Sequence, residues 1–453
     1  MSKRALRISQ VGLRGIVGSG VTASRVMDFS AAFATFLEAP GPVIVGRDPR
    51  ASGVMMREGV VAALLACGRD VVDLGIVSTP VIQANIRTRN AAGGVSIGAS
   101  HNAAEWNALK FLGSGGTYLS TAEANELLDI YHLRHFQFVE WDKLGKRSDD
   151  ATALDTYLDE LAEVFDFETL RKFRVVVDCS NGTSAPILRR LNERFGFAFI
   201  LINATTDGSF AHEPSTSARA VEMQLAPLIK PLDADAGFLF DADSDRVALA
   251  TERGQAISEE MVLALAADHL MSQSPGRLLI TNLSTTSLLE DIAARYGGSV
   301  VRVPVGRNAA IDALSAYRPD QVALAGEGTG AVMMPQFRFV YDGIATMLTL
   351  LEMRAARSAP FSDMLASYPP FVMLKGEVPL SRQRIPEMLQ ALQEHFQPAK
   401  PHTMDGLRMD WNHQWFHVRV SQTEPIVRVI AERRDAAPTD LFRDVMEIVE
   451  TYA

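Results

Sequence analysis

The sequence predicts an α/β protein: three successive α/β domains of similar size followed by a C-terminal α+β domain. Three observations carry this expectation: the length, a strand–helix–strand grammar that begins and then restarts twice, and a change of element order after residue 370. At 453 residues the chain exceeds the size at which one hydrophobic core keeps growing, so three or four domains are expected.

The first unit spans 1–147. Short apolar runs alternate there with helical patterns: VIVG, then VMMREGVVAALLAC closed by Gly68, then VVDLG and GVSIG. The grammar restarts at Val175, within 148–254, with VVVD, a helix around ILRRLNERF, the run FAFILIN and AGFLF. A third round fills 255–369 with LLIT, a helix through LLEDIAARYGG, VVRVP, a helix near AAIDALSAY, and VALAG. Seams are expected at the charged segment EWDKLGKRSDD, at the turn-prone ERGQ, and at Pro369 and Pro370, which resist helix. From 370 to 453 the order becomes strand, helix, three strands and a final helix, which predicts helices on one face of an antiparallel sheet.

Composition narrows the function. The formal charge of −10, from 44 basic and 54 acidic side chains, argues against a nucleic-acid surface, which needs a basic stripe. No apolar run approaches the ~20 residues of a membrane span, and no secretory signal is read at Met1 to Gln10. Cys67 and Cys179 sit beside apolar residues, which points to buried structural thiols and a reducing, cytoplasmic setting.

In α/β sheets ligands gather at the carboxyl ends of strands, and four such loops are unusual. In GVSIGASHNAAEWNALKF a strand ends at Ser100, His101 and Asn102, and Lys110 follows. Ser100 is either an activated nucleophile or a helix N-cap. In FLFDADSDRVALA, Asp241, Asp243 and Asp245 alternate and Arg246 follows. Three carboxylates this close repel unless a cation lies between them, and carboxylate oxygens suit Mg²⁺. A calcium loop is the poorer reading, because Arg246 holds the glycine turn and Val247 to Thr251 reads as a strand.

VALAGEGTGAVMMP ends a strand at Gly326 to Gly330, where Glu327 and Thr329 could bind sugar hydroxyls or simply form a glycine-rich turn. HVRVSQTEPIVRVIAE brings Arg419, Ser421, Gln422, Thr423 and Arg428, the hydroxyl, amide and guanidinium groups that a phosphate monoester requires. Two further loops, GLRGIVG with Arg14 and VGRDPRASG with Arg47, Asp48 and Arg50, read either as surface turns or, with Arg307 in VPVGRNAA, as arginines that set positive charge opposite the aspartates.

The four loops, in this order and spacing, resemble those of the α-D-phosphohexomutases, and the resemblance covers the whole chain. Ser100-His101-Asn102 is similar to that family's phosphoserine loop, Asp241 to Arg246 to its magnesium loop, Gly326 to Gly330 to its sugar loop, and Ser421 to Pro425 to its phosphate loop. The resemblance implies a heart-shaped, four-domain enzyme that interconverts hexose 6-phosphates and hexose 1-phosphates through phospho-Ser100. One Mg²⁺ per chain would be held by Ser100, Asp241, Asp243 and Asp245, and a bisphosphorylated sugar would serve as intermediate and activator. Lys110 and Arg14 would give acid–base assistance at the serine with His101 as a positional partner, and Arg246 and Arg307 would contact substrate. Monomer or homodimer is implied, with small sugar phosphates as partners and neither nucleic acid nor membrane.

Departures are equally specific. Ala331 stands where many members carry histidine, Gln422 where Gly or Asn is common, Arg307 for Lys, and Ala242 and Ser244 for glycines. The G-E-G-T-G loop resembles that of members assigned to glucosamine phosphate, so that substrate is favoured over glucose or mannose phosphate. A magnesium phosphatase and a non-catalytic sugar-phosphate-binding protein are the competing readings.

Overall fold

Each apolar run bounded by turn residues forms a strand, and the strands gather into four sheets in the computed structural model, which describes residues 6–9, 12–421 and 426–453. The first sheet holds seven strands: β1 (Leu6–Ser9), β2 (Gly12–Ile16), β3 (Val43–Arg47), β4 (Val71–Ile76), β5 (Gly93–Ile97), β6 (Trp106–Leu112) and β7 (Arg147–Asp149), in the order β1-β2-β6-β5-β3-β4-β7. β3 runs parallel to β4 and β5, while β6 runs antiparallel to β5 and β2. The seam expected at 147/148 cuts β7, because Arg147 to Asp149 pair with β4 and bond the first sheet.

The second sheet comprises β8 (Val175–Asp178), β9 (Ile200–Ile202), β10 (Ala236–Phe240) and β11 (Val247–Thr251), ordered β11-β10-β8-β9. The third comprises β12 (Leu278–Asn282), β13 (Ser299–Val303), β14 (Val322–Glu327) and β15 (Ala331–Met333), ordered β13-β12-β14-β15. Each has parallel strands closed at one edge by an antiparallel hairpin, β10–β11 and β14–β15. The fourth sheet is antiparallel: β16 (Phe371–Pro379), β17 (Lys400–His402), β18 (Leu407–Trp411), β19 (Gln414–Val420) and β20 (Ile426–Arg434), ordered β16-β20-β19-β18-β17. The predicted succession of three α/β units and one α+β unit is therefore what the chain forms. β17 and the β1–β2 hairpin were not legible, being too short or too polar to show a period.

One continuous apolar core runs from Ile44 and Ile82 through Val175 and Phe238 to Leu279 and Leu324, joining the first three sheets. The fourth sheet keeps its own core around Met409, Phe416 and Val445. It meets the third through polar contacts: Arg408 Nη1 donates to Leu283 O at 2.6 Å, the Ser287 amide to Glu432 Oε1 at 2.8 Å, and Arg434 pairs with Asp291 at 2.9 Å. A polar interface of this kind lets the last unit move against the rest more readily than the other three can move against one another. Among the described residues no helix is long and apolar enough to cross a membrane.

Candidate active site

Ser100 lies in the turn between β5 and β6, so no helix follows it and the capping alternative falls away. Its backbone is left-handed, with φ 53°, and its side chain is buried. The hydroxyl donates to Asp241 Oδ2, and His101 Nδ1 stands 3.3 Å from Ser100 Oγ.

Arg50 holds this turn in shape. It has no solvent exposure and spends all five N–H donors: Nε on Asp48 at 2.9 Å, Nη1 on Ala103 O and Trp106 O, and Nη2 on Ser100 O and Asn102 O, at 2.6–3.2 Å. Asp48 in turn accepts from the Ala99 amide at 3.3 Å, and Arg14 Nη2 donates to Ala99 O at 3.0 Å. The expectation that Arg47, Asp48 and Arg50 act mainly as free charge is therefore corrected. Asp48 neutralises Arg50, Arg47 bonds Asp48 O, and the pair shapes the loop from behind.

Asp241, Asp243 and Asp245 occupy the β10–β11 turn, all buried. That turn is clamped by the Thr183 amide on Ala242 O at 2.9 Å and the Gly343 amide on Ser244 O at 2.9 Å. A Cβ at Gly343 would come within 2.8 Å of Ser244 O, so only glycine permits the approach. The two departures in this loop are accommodated: Ala242 is buried, and Ser244, at φ 59°, bonds Thr183 through its hydroxyl at 2.8 Å.

Lys110, on β6 opposite Ser96, reaches Asp243 Oδ2 and Asp245 Oδ2, each at 2.6 Å. Burial opposes its charge, but the two carboxylates outweigh burial and raise its pKa. Burial likewise opposes ionisation of Asp243, yet Lys110 brings it down to about 2. For Asp241 burial and then the neighbouring aspartates push the pKa well up, and for Asp245 burial raises it to about 6. For His101, burial in the cleft and then the Arg246 and Arg14 charges push the pKa down to about 3.

These pairings revise two expected roles. A guanidinium that is always charged makes a poor base, and Arg14 is occupied with loop backbone. Lys110 is a held ammonium, suited to neutralising charge rather than to taking a proton. No group of three or more acidic, histidine or cysteine side chains among the described residues closes into a finished metal cage. Lys110 stands between Asp243 and Asp245 where a cation would. Asp243 Oδ1 and Asp245 Oδ1 remain buried without a hydrogen-bond partner among the described residues, which fits a hard cation.

Of the remaining residues, Glu327, Thr329, Arg419 and Arg428 line one cleft of about 470 Å³ between the third and fourth units. Glu327 ends β14, and the hairpin to β15 turns through Gly330 at φ 76°, where a Cβ would meet Val247 O at 2.6 Å. Arg419 and Arg428 are register partners on β19 and β20, and they pair with Asp405 and Glu377, each at 3.2 Å. Ser421 is buried, with its amide bonded to Ile426 O at 2.9 Å. Gln422 and Thr423 lie outside the described residues. Arg307 opens the helix Arg307–Ser315 and stacks 3.6 Å over Tyr118, and the Arg246 amide donates to Asp241 Oδ1 at 3.1 Å. The sequence reading missed Glu260, Ser284 and Lys375 at this cleft, and His417 behind Ser284. No motif marks them, since a helix first turn, the turn after β12, and the strands β16 and β19 deliver them from four separate segments.

His417 is fully buried between Ser284 Oγ, 2.9 Å from Nδ1, and Asp405 O, 2.6 Å from Nε2. Burial pushes its pKa down from 6.5 to about 4. The folded state therefore refuses a proton that the unfolded chain accepts, and the contribution is whole above about pH 6.5 and lost as pH falls toward 4. Stability is expected to drop by up to about 3 kcal/mol across that window from this group. His417→Gln should flatten that part of the Tm profile; an unchanged profile would contradict the assignment. Both cysteines are free, and burial raises Cys67 to about 11 and Cys179 to about 12, which fits inert structural thiols.

Family models for phosphoglucomutase/phosphomannomutase match the chain three times: alpha/beta/alpha domain I over residues 7–137, domain II over 155–254 and domain III over 258–371. A phosphoglucomutase/phosphomannomutase of Thermococcus kodakarensis is 33% identical over 93% of each chain. A phosphoglucosamine/phosphogalactosamine mutase of Sulfurisphaera tokodaii is 29% identical over 97% of this chain and 98% of its own. The crystal structure of a phosphoglucomutase/phosphomannomutase family protein from Burkholderia thailandensis superposes with a TM-score of 0.85 at 25% identity, covering 98% of both chains. With three of its four units matched in order and 93% of its length shared with a relative 33% identical to it, the chain belongs to the phosphoglucomutase/phosphomannomutase family, the α-D-phosphohexomutases.

Proposed function

We propose that this protein is a phosphohexose mutase that interconverts hexose 6-phosphate and hexose 1-phosphate, with glucosamine phosphate its favoured substrate. The observation that carries the reading is the Ser100 hydroxyl bonded to Asp241 among three buried aspartates, two of them tied to Lys110.

In this reading Ser100 is phosphorylated in the resting enzyme. Its phosphoryl group passes to the free hydroxyl of the bound sugar phosphate: the Oγ–P bond breaks, a new O–P bond forms, and the sugar's proton ends on Ser100 Oγ. The bisphosphorylated sugar turns over in the cleft. Its other phosphate then returns to Ser100 by the reverse chemistry and leaves the isomer; a bisphosphorylated sugar from solution would re-prime an unphosphorylated chain. Phosphoryl transfer asks chiefly for positioning and neutralised oxygens. Arg50 and Arg14 fix the serine loop, Lys110 supplies neutralising charge, and His101 orients the hydroxyl. Arg246 and Arg307 face the transferring group, Glu327 and Thr329 hold sugar hydroxyls, and Arg419, Ser421, Gln422, Thr423 and Arg428 hold the distal phosphate.

Asp241, Asp243, Asp245 and the Ser100 oxygen would hold one Mg²⁺, which when bound neutralises phosphoryl oxygens and polarises phosphorus. Calorimetric titration should show one Mg²⁺ per chain, weakened at least about tenfold in Asp243→Asn. Binding of equal strength in that variant would overturn the assignment. The name of the S. tokodaii relative supports an amino-sugar phosphate, and that of the T. kodakarensis relative supports glucose or mannose phosphate as the second reading. Comparing kcat/KM on glucosamine, glucose and mannose 1-phosphates decides between them, and preference for a neutral hexose would reverse the order. A cytoplasmic setting, a monomer or homodimer, and no nucleic-acid partner complete the proposal.

A further inference from the structure

The cleft carries both kinds of group: Lys375, Arg419 and Arg428 bring donors and positive charge, and Glu260, Ser284 and Glu327 bring acceptors. The hydrogen-bond polarity of Ser284 can be worked out from its partners. Asp405 O is a carbonyl oxygen and only accepts, so His417 Nε2, 2.6 Å away, carries a hydrogen. Burial keeps the imidazole neutral, which leaves Nδ1 as an acceptor. Ser284 Oγ, 2.9 Å from Nδ1, must therefore donate its only hydrogen there. What it turns toward the cleft is lone pairs alone.

The neighbouring groups share that polarity. Glu260, in the first turn of the helix Glu259–Gln273, accepts from the Thr286 amide at 3.0 Å and has Lys375 Nζ at 3.4 Å. Burial pushes its carboxyl up to about 7 even with Lys375 beside it, so a second cation is what would hold it fully ionised. Glu327 offers a second carboxylate. The hydroxyl of Thr285 is already used, donating to Asn282 Oδ1 at 3.0 Å and accepting from the Gly328 amide at 3.1 Å. A ligand hydroxyl brings one donor and two lone pairs, and the lone pairs would face carboxylates. An ammonium brings three donors, no lone pair and a positive charge.

We propose that Ser284, oriented by His417, forms with Glu260 and Glu327 an acceptor-only subsite that selects the ammonium group of an amino-hexose phosphate over the hydroxyl of a neutral one. Ser284 and Glu260 are specificity-determining residues here and His417 a positioning residue. The inference rests on the mutase reading for its substrate, and its test separates the two. Titration calorimetry with the full chain and Mg²⁺ would compare glucosamine 6-phosphate with glucose 6-phosphate, for the wild type, Ser284→Ala and Glu260→Gln. Turnover of the corresponding 1-phosphates would be measured in parallel.

The wild type is expected to bind the amino sugar at least about tenfold more tightly, and each variant to shrink that ratio about five- to tenfold. No amino-sugar preference in the wild type, or a ratio unchanged in both variants, overturns the subsite. Equal weakening toward both sugars also overturns it, because a mere latch between the third and fourth units would act that way. Discrimination in binding without turnover of any sugar would sink the mutase reading and leave the subsite standing.

Discussion

Ser100→Ala is expected to lower mutase turnover by about 10⁴-fold or more and to abolish the single phosphoryl mass increment of the resting protein. The hydroxyl is the acceptor and donor of every phosphoryl group in the proposed cycle, so no residual route through the enzyme remains once it is gone. The fold should survive. Ser100 caps no helix and sits at φ 53°, a strain that serine and alanine share, and the loop backbone is held by Arg50 and Arg14. The loss that a structural role alone predicts is modest: Asp241 forfeits one hydrogen bond, worth about 1–3 kcal/mol for a buried acceptor. A large fall in kcat beside a Tm lowered by only several degrees is thus the signature of a nucleophile. The competing readings predict otherwise. A magnesium phosphatase would keep hydrolysing sugar phosphates in the variant, and a binding protein would show no turnover before or after substitution. Full isomerase activity in Ser100→Ala would overturn the mechanism outright.

Much of this site was legible before the fold was known, for a physical reason. Chemistry that needs several like charges or several glycines in one loop leaves a local mark, as Asp241, Asp243 and Asp245 do, and as Gly326 to Gly330 do. Strand-to-turn grammar placed those marks at strand ends, and the β5–β6, β10–β11 and β14–β15 turns are where they lie. What escaped was relational. Lys110 was visible as a residue near Ser100, but that it stands between Asp243 and Asp245 follows from β6 running antiparallel to β5, which no local pattern announces. Ser284 and His417 are 133 residues apart and meet only because the fourth sheet docks on the third. Arg50 was read as a surface or cleft charge because charged residues in turns usually are. Its burial depends on Asp48 two residues before it and on carbonyls about fifty residues later.

Arg50 also carries the largest expected effect on stability. Arg50→Ala should cost about 3–5 kcal/mol, the range for removing one partner of a buried ion pair, since Asp48 is left charged and buried. Burial already raises the Asp48 pKa, and without the guanidinium the carboxyl is driven further toward its neutral form. Arg50→Lys separates charge from geometry. An ammonium can still neutralise Asp48, but it is a point charge with three donors and lacks the planar fork that binds Ala103, Trp106, Ser100 and Asn102 together. The lysine variant is therefore expected to regain part of the thermal stability while leaving kcat about a hundredfold down, because a misplacement of about 1 Å at the reacting group costs that much. Its KM should change little, since the sugar and distal phosphate are held by other units of the cleft. Chemical denaturation of both variants alongside steady-state kinetics measures the split. Should Arg50→Lys recover kcat along with stability, Arg50 would matter only as a neutralising charge, and the placement of Ser100 would have to rest on Arg14 and Asp48 instead.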